Sequence, residues 1–335
     1  MKVLRIHAVG DLRLHDEPMP QLMPDDALVR VKAVGICGSD IHWSAEGTTG
    51  EDKIEVPFIL GHEFGGQVEG GIMDGLRVAV DPALPCEVCE FCRRGDPNLC
   101  PDQYFAGHPP QDGALREYLP WPLDKLIPLP DFISDEDAAM LEPLGVAIYN
   151  VELGQVQPGM IVGVYGCGPI GLLTIQVARA AGASQIIATD VLPHRLEAAR
   201  ALGADVYLAS PQGNERTPIL VNTHKLGVDV AFETAGENAA VETAVETAKP
   251  GGRVVLCGIP IVNQTAFRAS AARRKGLTIQ MVRRMKHTYP RAIKLVETGQ
   301  VELRSIVSHR FGLDQAAEAF SVAQKREGLK VVITP

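Results

Sequence analysis

Residues 160–190 read MIVGVYGCGPIGLLTIQVARAAGASQIIATD. The stretch opens on an apolar strand-like run, MIVGVYG, and passes through Gly166, Gly168 and Gly171 in a G-x-G-x-x-G spacing. A helix-patterned segment then runs to Gly182, and a second strand, QIIATD, closes on Asp190. The glycine spacing alone is a weak signal. Its context, strand before, helix after and an acidic residue at the end of the next strand, makes it a dinucleotide-binding turn. The first glycine allows a tight turn, the second lets backbone approach a pyrophosphate, and the third packs helix on strand. The helix beginning at Pro169 and Ile170 points its positive end, with unpaired N–H groups, at the phosphates. Asp190 is placed to accept hydrogen bonds from both hydroxyls of an adenosine ribose. A carboxylate there repels a 2′-phosphate, so NAD is expected over NADP. Cys167, between the glycines, reads as a small packing residue.

The same rhythm continues downstream. HRLEAARALGA is helical, and DVAFETAG, VETAVETAKPGG and RVVLCGI alternate strand, helix and strand. That alternation predicts a parallel, doubly wound sheet. Upstream, residues 1–145 hold short strand-like runs such as ALVRVKAVGI and LRVAVDPA between Gly and Pro signals. After about residue 290 come a helix, SIVSHRF, a second helix and a closing strand, KVVITP, expected to pair back onto the first region. The chain is therefore α/β. A coenzyme domain is expected over 146–289, and a β-rich domain over 1–145 and 290–335.

Cys86, Cys89, Cys92 and Cys100 stand in PCEVCEFCRRGDPNLC with spacing C-x2-C-x2-C-x7-C. Four closely spaced thiolates satisfy tetrahedral zinc at little loop-closure cost and leave no position open for water or substrate. A structural zinc is expected. Disulfides fit poorly with a start, MKVLRIHAVGDLRLHDE, that has no apolar signal core and with modest cysteine content. An iron–sulfur cluster shares the C-x2-C-x2-C opening, but the fourth Cys comes late and no second run follows.

The 335 residues carry a net charge of −9, with 46% apolar and 22% charged residues. An acidic chain of ordinary composition argues against nucleic acid as a general partner. No apolar run approaches a membrane span, so no membrane partner and a cytoplasmic location are expected.

Cys37 in GICGSDIHW, His62 and Glu63 in LGHEFGG, and Glu142 in MLEPLGVAIYN are candidates for a second metal site. A catalytic zinc takes about three protein ligands and one open position, and acidifies an alcohol oxygen bound there. Each residue taken alone reads more simply as buried filler or a satisfied polar group. Spacing does not bring these loops together.

GICGSDIHW, LGHEFGG, the four-Cys loop, LEPLGVAIYN and YGCGPIGLL occur in an order that resembles the zinc-dependent medium-chain dehydrogenases over nearly the whole chain. Glu142, rather than a cysteine, makes the chain most similar to the polyol branch of sorbitol and xylitol dehydrogenases. The resemblance implies a GroES-like catalytic domain around a Rossmann coenzyme domain, with two zinc ions per chain and NAD. It implies Cys37, His62 and Glu63 as catalytic zinc ligands, with Glu142 binding directly or through water. Asp40 would orient the ligating histidine. Ser39 and His42 would carry the alcohol proton toward solvent. Arg195 would lie along the adenosine, and Cys257, Gly258 and Ile259 under the nicotinamide. Trp43, Phe105, His108 and Arg284 would face substrate. The implied activity is hydride transfer from a secondary alcohol of a polyol or sugar to NAD, by a homodimer or homotetramer. The alternatives are L-threonine 3-dehydrogenase and small-diol or alicyclic alcohol dehydrogenases. The short stretch QVEGGIMDGLRVAV after LGHEFGG departs from the family pattern, and Met285 and His108 differ from common sorbitol dehydrogenases.

Overall fold

In the computed structural model, which describes residues 1–210 and 214–335, strand Ile161–Tyr165 is buried beyond its first residue. It pairs in parallel with Gln185–Asp190 on one side and Val228–Glu233 on the other. Such a strand has no solvent face, which is why its sequence is a continuous apolar run rather than an alternation. The full sheet has six strands. Their order is Val206–Ala209, Gln185–Asp190, Ile161–Tyr165, Val228–Glu233, Ala248–Leu256 and Thr278–Met281. All of its pairings are parallel.

The chain steps outward from Ile161–Tyr165 in one direction, then returns to the other side at Val228–Glu233. Strand order therefore reverses between these two. The crevice beyond the carboxyl ends of the strands at such a reversal is where open parallel sheets take ligands. Gly166 sits there with φ of 103°, a conformation open to glycine, and a Cβ on it would fall 2.8 Å from the Ala235 nitrogen. Helix Pro169–Ala180 follows, with Pro at its first position, where a missing N–H removes no helical bond.

The β-rich region forms a seven-stranded mixed sheet around Asp26–Gly35. That strand pairs antiparallel with Glu63–Glu69, with Tyr118–Pro122 and with the closing strand Lys330–Thr334. The closing strand thus returns to the first region, Val332 opposite Gly35. The stretch after LGHEFGG makes a short antiparallel hairpin, Glu63–Glu69 against Arg77–Val80. Trp43, Phe58, Phe64, Leu115, Trp121 and Ile333 belong to the core beneath.

Two compact units result: Met1–Glu142 with Leu303–Pro335, and Pro143–Glu302. The second boundary falls after Glu302 rather than near 290, so helix Tyr289–Glu297 stays with the parallel sheet. The physical cause is local. Gln176 donates to the Glu302 carbonyl at 3.0 Å and accepts from the Glu302 N–H at 2.7 Å. Arg291 also pairs with Glu152, and Ala292 is wholly buried.

Candidate metal centre and coenzyme loop

Strand register assembles the first cluster. Gly35 lies opposite Glu63 in the pairing of Asp26–Gly35 with Glu63–Glu69. Cys37 follows two residues later as the N-cap of helix Gly38–Glu46, and His62 immediately precedes Glu63. The ligating atoms of Cys37, His62 and Glu63 all lie within 4.8 Å of one another. The loops that spacing alone left apart do meet. Gly35 gives them room, since a Cβ there would collide with Glu63 Oε2.

Asp40 ties the loops together from behind. Its carboxylate is buried and accepts from the Cys37 N–H at 2.9 Å and from the Gly61 N–H at 3.2 Å. Its Oδ1 stands 3.8 Å from His62 Nδ1. The carboxylate faces that ring nitrogen across a gap longer than a hydrogen bond.

Burial pushes the Cys37 thiol well above its usual range, and the negative charge of Glu63 pushes it further. Thiol, imidazole and carboxylate packed this closely form a donor set that suits zinc, and a divalent cation is what would let the thiol ionise. Glu142 is also buried and adds to the negative field on Cys37, but it falls outside the converging set.

A residue that sequence reasoning missed completes the pocket. Lys330, the first residue of the closing strand, places its ammonium against Glu63 Oε2, and both side chains are sealed from solvent. Burial alone would lower the Lys330 pKa; Glu63, with Cys37 and Asp40, outweighs it and holds the ammonium charged. No local motif marks this lysine, because its partner lies at the other end of the chain.

Helix Gly38–Glu46 carries Ser39 and His42 as well. His42 Nδ1 is 2.7 Å from Glu46 Oε2, one helical turn on. That contact fixes the orientation of the ring. Glu46 was also missed, though an i,i+4 His–Glu pair is a readable signal. Trp43 needs correction. It shares the inward face of this helix with Asp40, is 1% exposed and packs edge-on against Phe58 and His108, so it offers no open face to a substrate. Phe105 is buried with its ring centroid 5.1 Å from that of His62. His108 Nε2 lies 3.2 Å from Asp52. Arg284 sits in the second unit with φ of 55°.

The second cluster is Cys86, Cys89, Cys92 and Cys100, again with all ligating atoms within 4.8 Å of one another. All seven cysteines of the chain are free thiols. Backbone N–H groups of Val88 and Cys89 lower Cys86 to about 7. The Cys86 N–H points at Cys100 Sγ and the Cys92 N–H at Cys89 Sγ, at 3.3 and 3.5 Å. Burial nonetheless pushes Cys92 and Cys100 up, so a bound cation is what would draw all four sulfurs to thiolate in a closed metal site.

In the coenzyme loop, Asp190 is buried and holds the glycine turn itself. Its Oδ2 accepts from the Cys167 N–H at 2.7 Å and its Oδ1 from the Leu192 N–H at 2.8 Å. Each carboxylate oxygen has lone-pair capacity beyond the one backbone hydrogen bond it accepts here. Arg195 Nη1 stands 3.6 Å from where a Cβ on Gly168 would be. Cys257, Gly258 and Ile259 follow directly on strand Ala248–Leu256, and Ile259 is exposed.

Two family models match: the alcohol dehydrogenase GroES-like domain over residues 23–131 and the zinc-binding dehydrogenase over residues 169–298. The sorbitol dehydrogenase of Bacillus subtilis (strain 168) is 37% identical over 343 residues, covering 100% of this chain and 97% of that protein. The sorbitol dehydrogenase of Mus musculus is 36% identical, covering 98% and 94%. A solved zinc-binding dehydrogenase from Sinorhizobium meliloti 1021, bound to NADP, superimposes with a TM-score of 0.91 at 31% identity, covering 100% and 99%. The chain belongs to the zinc-dependent medium-chain dehydrogenase superfamily, in its sorbitol and polyol branch. It is an alcohol dehydrogenase that works with zinc and a nicotinamide cofactor. Among the described residues no helix is long and apolar enough to cross a membrane.

Proposed function

We propose that the protein oxidises a secondary alcohol carbon of a polyol or sugar alcohol and passes the hydride to NAD. The observation that carries this reading is the convergence of Cys37, His62 and Glu63 in a chain that also holds a coenzyme loop. Zinc in that pocket would acidify the alcohol oxygen, and the nicotinamide would accept the hydride.

The residues divide the remaining work. Cys37, His62 and Glu63 hold the metal, Asp40 steadies their loops, and Lys330 balances the carboxylate. Ser39 and His42 carry the alcohol proton outward, with Glu46 holding the His42 ring. Glu142 acts beside the pocket through water, in keeping with its place outside the ligand set. The four-Cys cluster holds a second, structural zinc. Asp190 reads the ribose and favours NAD. Arg195 lies along the adenosine, while Cys257, Gly258 and Ile259 lie under the nicotinamide. Phe105, His108 and Arg284 face the substrate.

The sorbitol dehydrogenases among its relatives support a polyol over an amino alcohol. A cytoplasmic location agrees with seven free thiols. A homodimer or homotetramer rests on the family resemblance. The test is NADH formation by purified, zinc-loaded protein across sugar alcohols, small diols and L-threonine. Turnover highest on a sugar alcohol supports the reading, and turnover confined to threonine or to diols overturns it.

A further inference from the structure

At the carboxyl end of Val228–Glu233, beside the point where strand order reverses, Glu233 is 1% exposed. Among the described residues its carboxylate makes no ion pair. It is held by backbone alone: Glu233 Oε1 accepts from the Ala235 N–H at 2.8 Å and the Gly236 N–H at 2.7 Å. The N–H groups of Glu237 and Gly258 also hydrogen-bond it. Its own carbonyl accepts from Cys257 and Gly258, at 2.8 and 3.2 Å. One residue thus clamps the turn after its strand to the turn after the neighbouring strand. The two turns touch: a Cβ on Gly236 would collide with the Ile259 carbonyl, and a Cβ on Gly258 with the Gly236 nitrogen. Thr234, next along, donates to the Gly166 carbonyl at 2.6 Å and so links the clamp to the glycine turn.

A buried carboxylate without a cationic partner is expensive, and burial raises the Glu233 pKa against the opposing pull of these amides. No neutral side chain of this size accepts from four backbone donors at once, so the clamp as built needs the carboxylate.

We propose that Glu233 is a positioning residue for the nicotinamide end of the cofactor, setting the height and spacing of the 257–259 turn. This rests on the reading that Cys257, Gly258 and Ile259 lie under the nicotinamide. Glu233→Gln keeps the size but turns an –NH2 toward a ring of backbone donors, so the clamp loosens. Asp190 is held by the Cys167 and Leu192 N–H groups and makes no hydrogen bond to the clamp, so its hold on the adenosine half is expected to survive that change.

The test is calorimetric binding of NADH and of ADP-ribose, which lacks the nicotinamide, to wild type, Glu233→Gln and Glu233→Asp. The expected result is a loss of about tenfold or more in NADH affinity for both variants. ADP-ribose affinity should stay within about twofold of wild type, which also reports that the domain is folded. Equal loss for both ligands, or no loss for either, overturns the proposal. A wild type that binds NADH no more tightly than ADP-ribose removes the nicotinamide reading of the 257–259 turn itself, and the inference with it.

Discussion

The Lys330 ammonium rests on Glu63 Oε2 inside the pocket formed by Cys37, His62 and Glu63. A cation of the chain's own is thus already seated on a carboxylate of the proposed metal site. Lys330→Met leaves Glu63 buried without its partner, which costs about 3–5 kcal/mol in comparable cases. We expect denaturant unfolding of the metal-free variant to show a loss of this order. Zinc should restore part of it, because the metal then supplies the missing positive charge. A variant as stable as wild type without metal would show that the pair contributes nothing to the fold.

Two zinc ions with different duties are expected. Elemental analysis of loaded protein should give close to two per chain. Cys37→Ser should abolish turnover and leave the fold intact, with one zinc retained. Cys92→Ser should lower stability or yield instead, because it opens the four-sulfur cluster. Normal activity in Cys37→Ser would remove that residue from the catalytic site.

Glu142 is buried and its charge reaches Cys37, yet it stands outside the ligand set. Glu142→Ala should therefore cut kcat by about tenfold or more, roughly 1.4 kcal/mol of barrier, with NAD affinity near normal. A rate within about threefold of wild type would make it a bystander.

Asp190→Ser should erode the preference for NAD over NADP, expected at about a hundredfold in kcat/KM for wild type. The carboxylate also anchors Cys167 and Leu192, so the variant should bind both cofactors less well as it loses selectivity. Wild-type preference for NADP, or unchanged selectivity in the variant, would assign ribose reading to another residue, Arg195 being the first to test.

The parallel sheet and the four-Cys cluster were legible because their determinants are local. A strand–glycine–helix run or four thiols in a short loop carry their meaning within a few turns of chain. Cys37, His62 and Glu63 were legible only by resemblance, since the Gly35–Glu63 register that joins them is a property of strand pairing. Lys330 left no trace for the same reason. Trp43 was misread because a residue's place in a motif does not say which face of its helix turns inward. Spacing from the buried Asp40 would have said so.

The sheet that gathers the ligands closes on a strand made only after the whole of Pro143–Glu302. During synthesis the parallel-sheet unit emerges uninterrupted, whereas the other unit is complete only when its last segment, Leu303–Pro335, has been made. Until Lys330–Thr334 docks, Gly35 lacks its neighbour Val332 and the Glu63 carboxylate lacks its ammonium. The order of the chain thus places the residues of the nucleotide-binding unit ahead of the lysine that balances the Glu63 carboxylate.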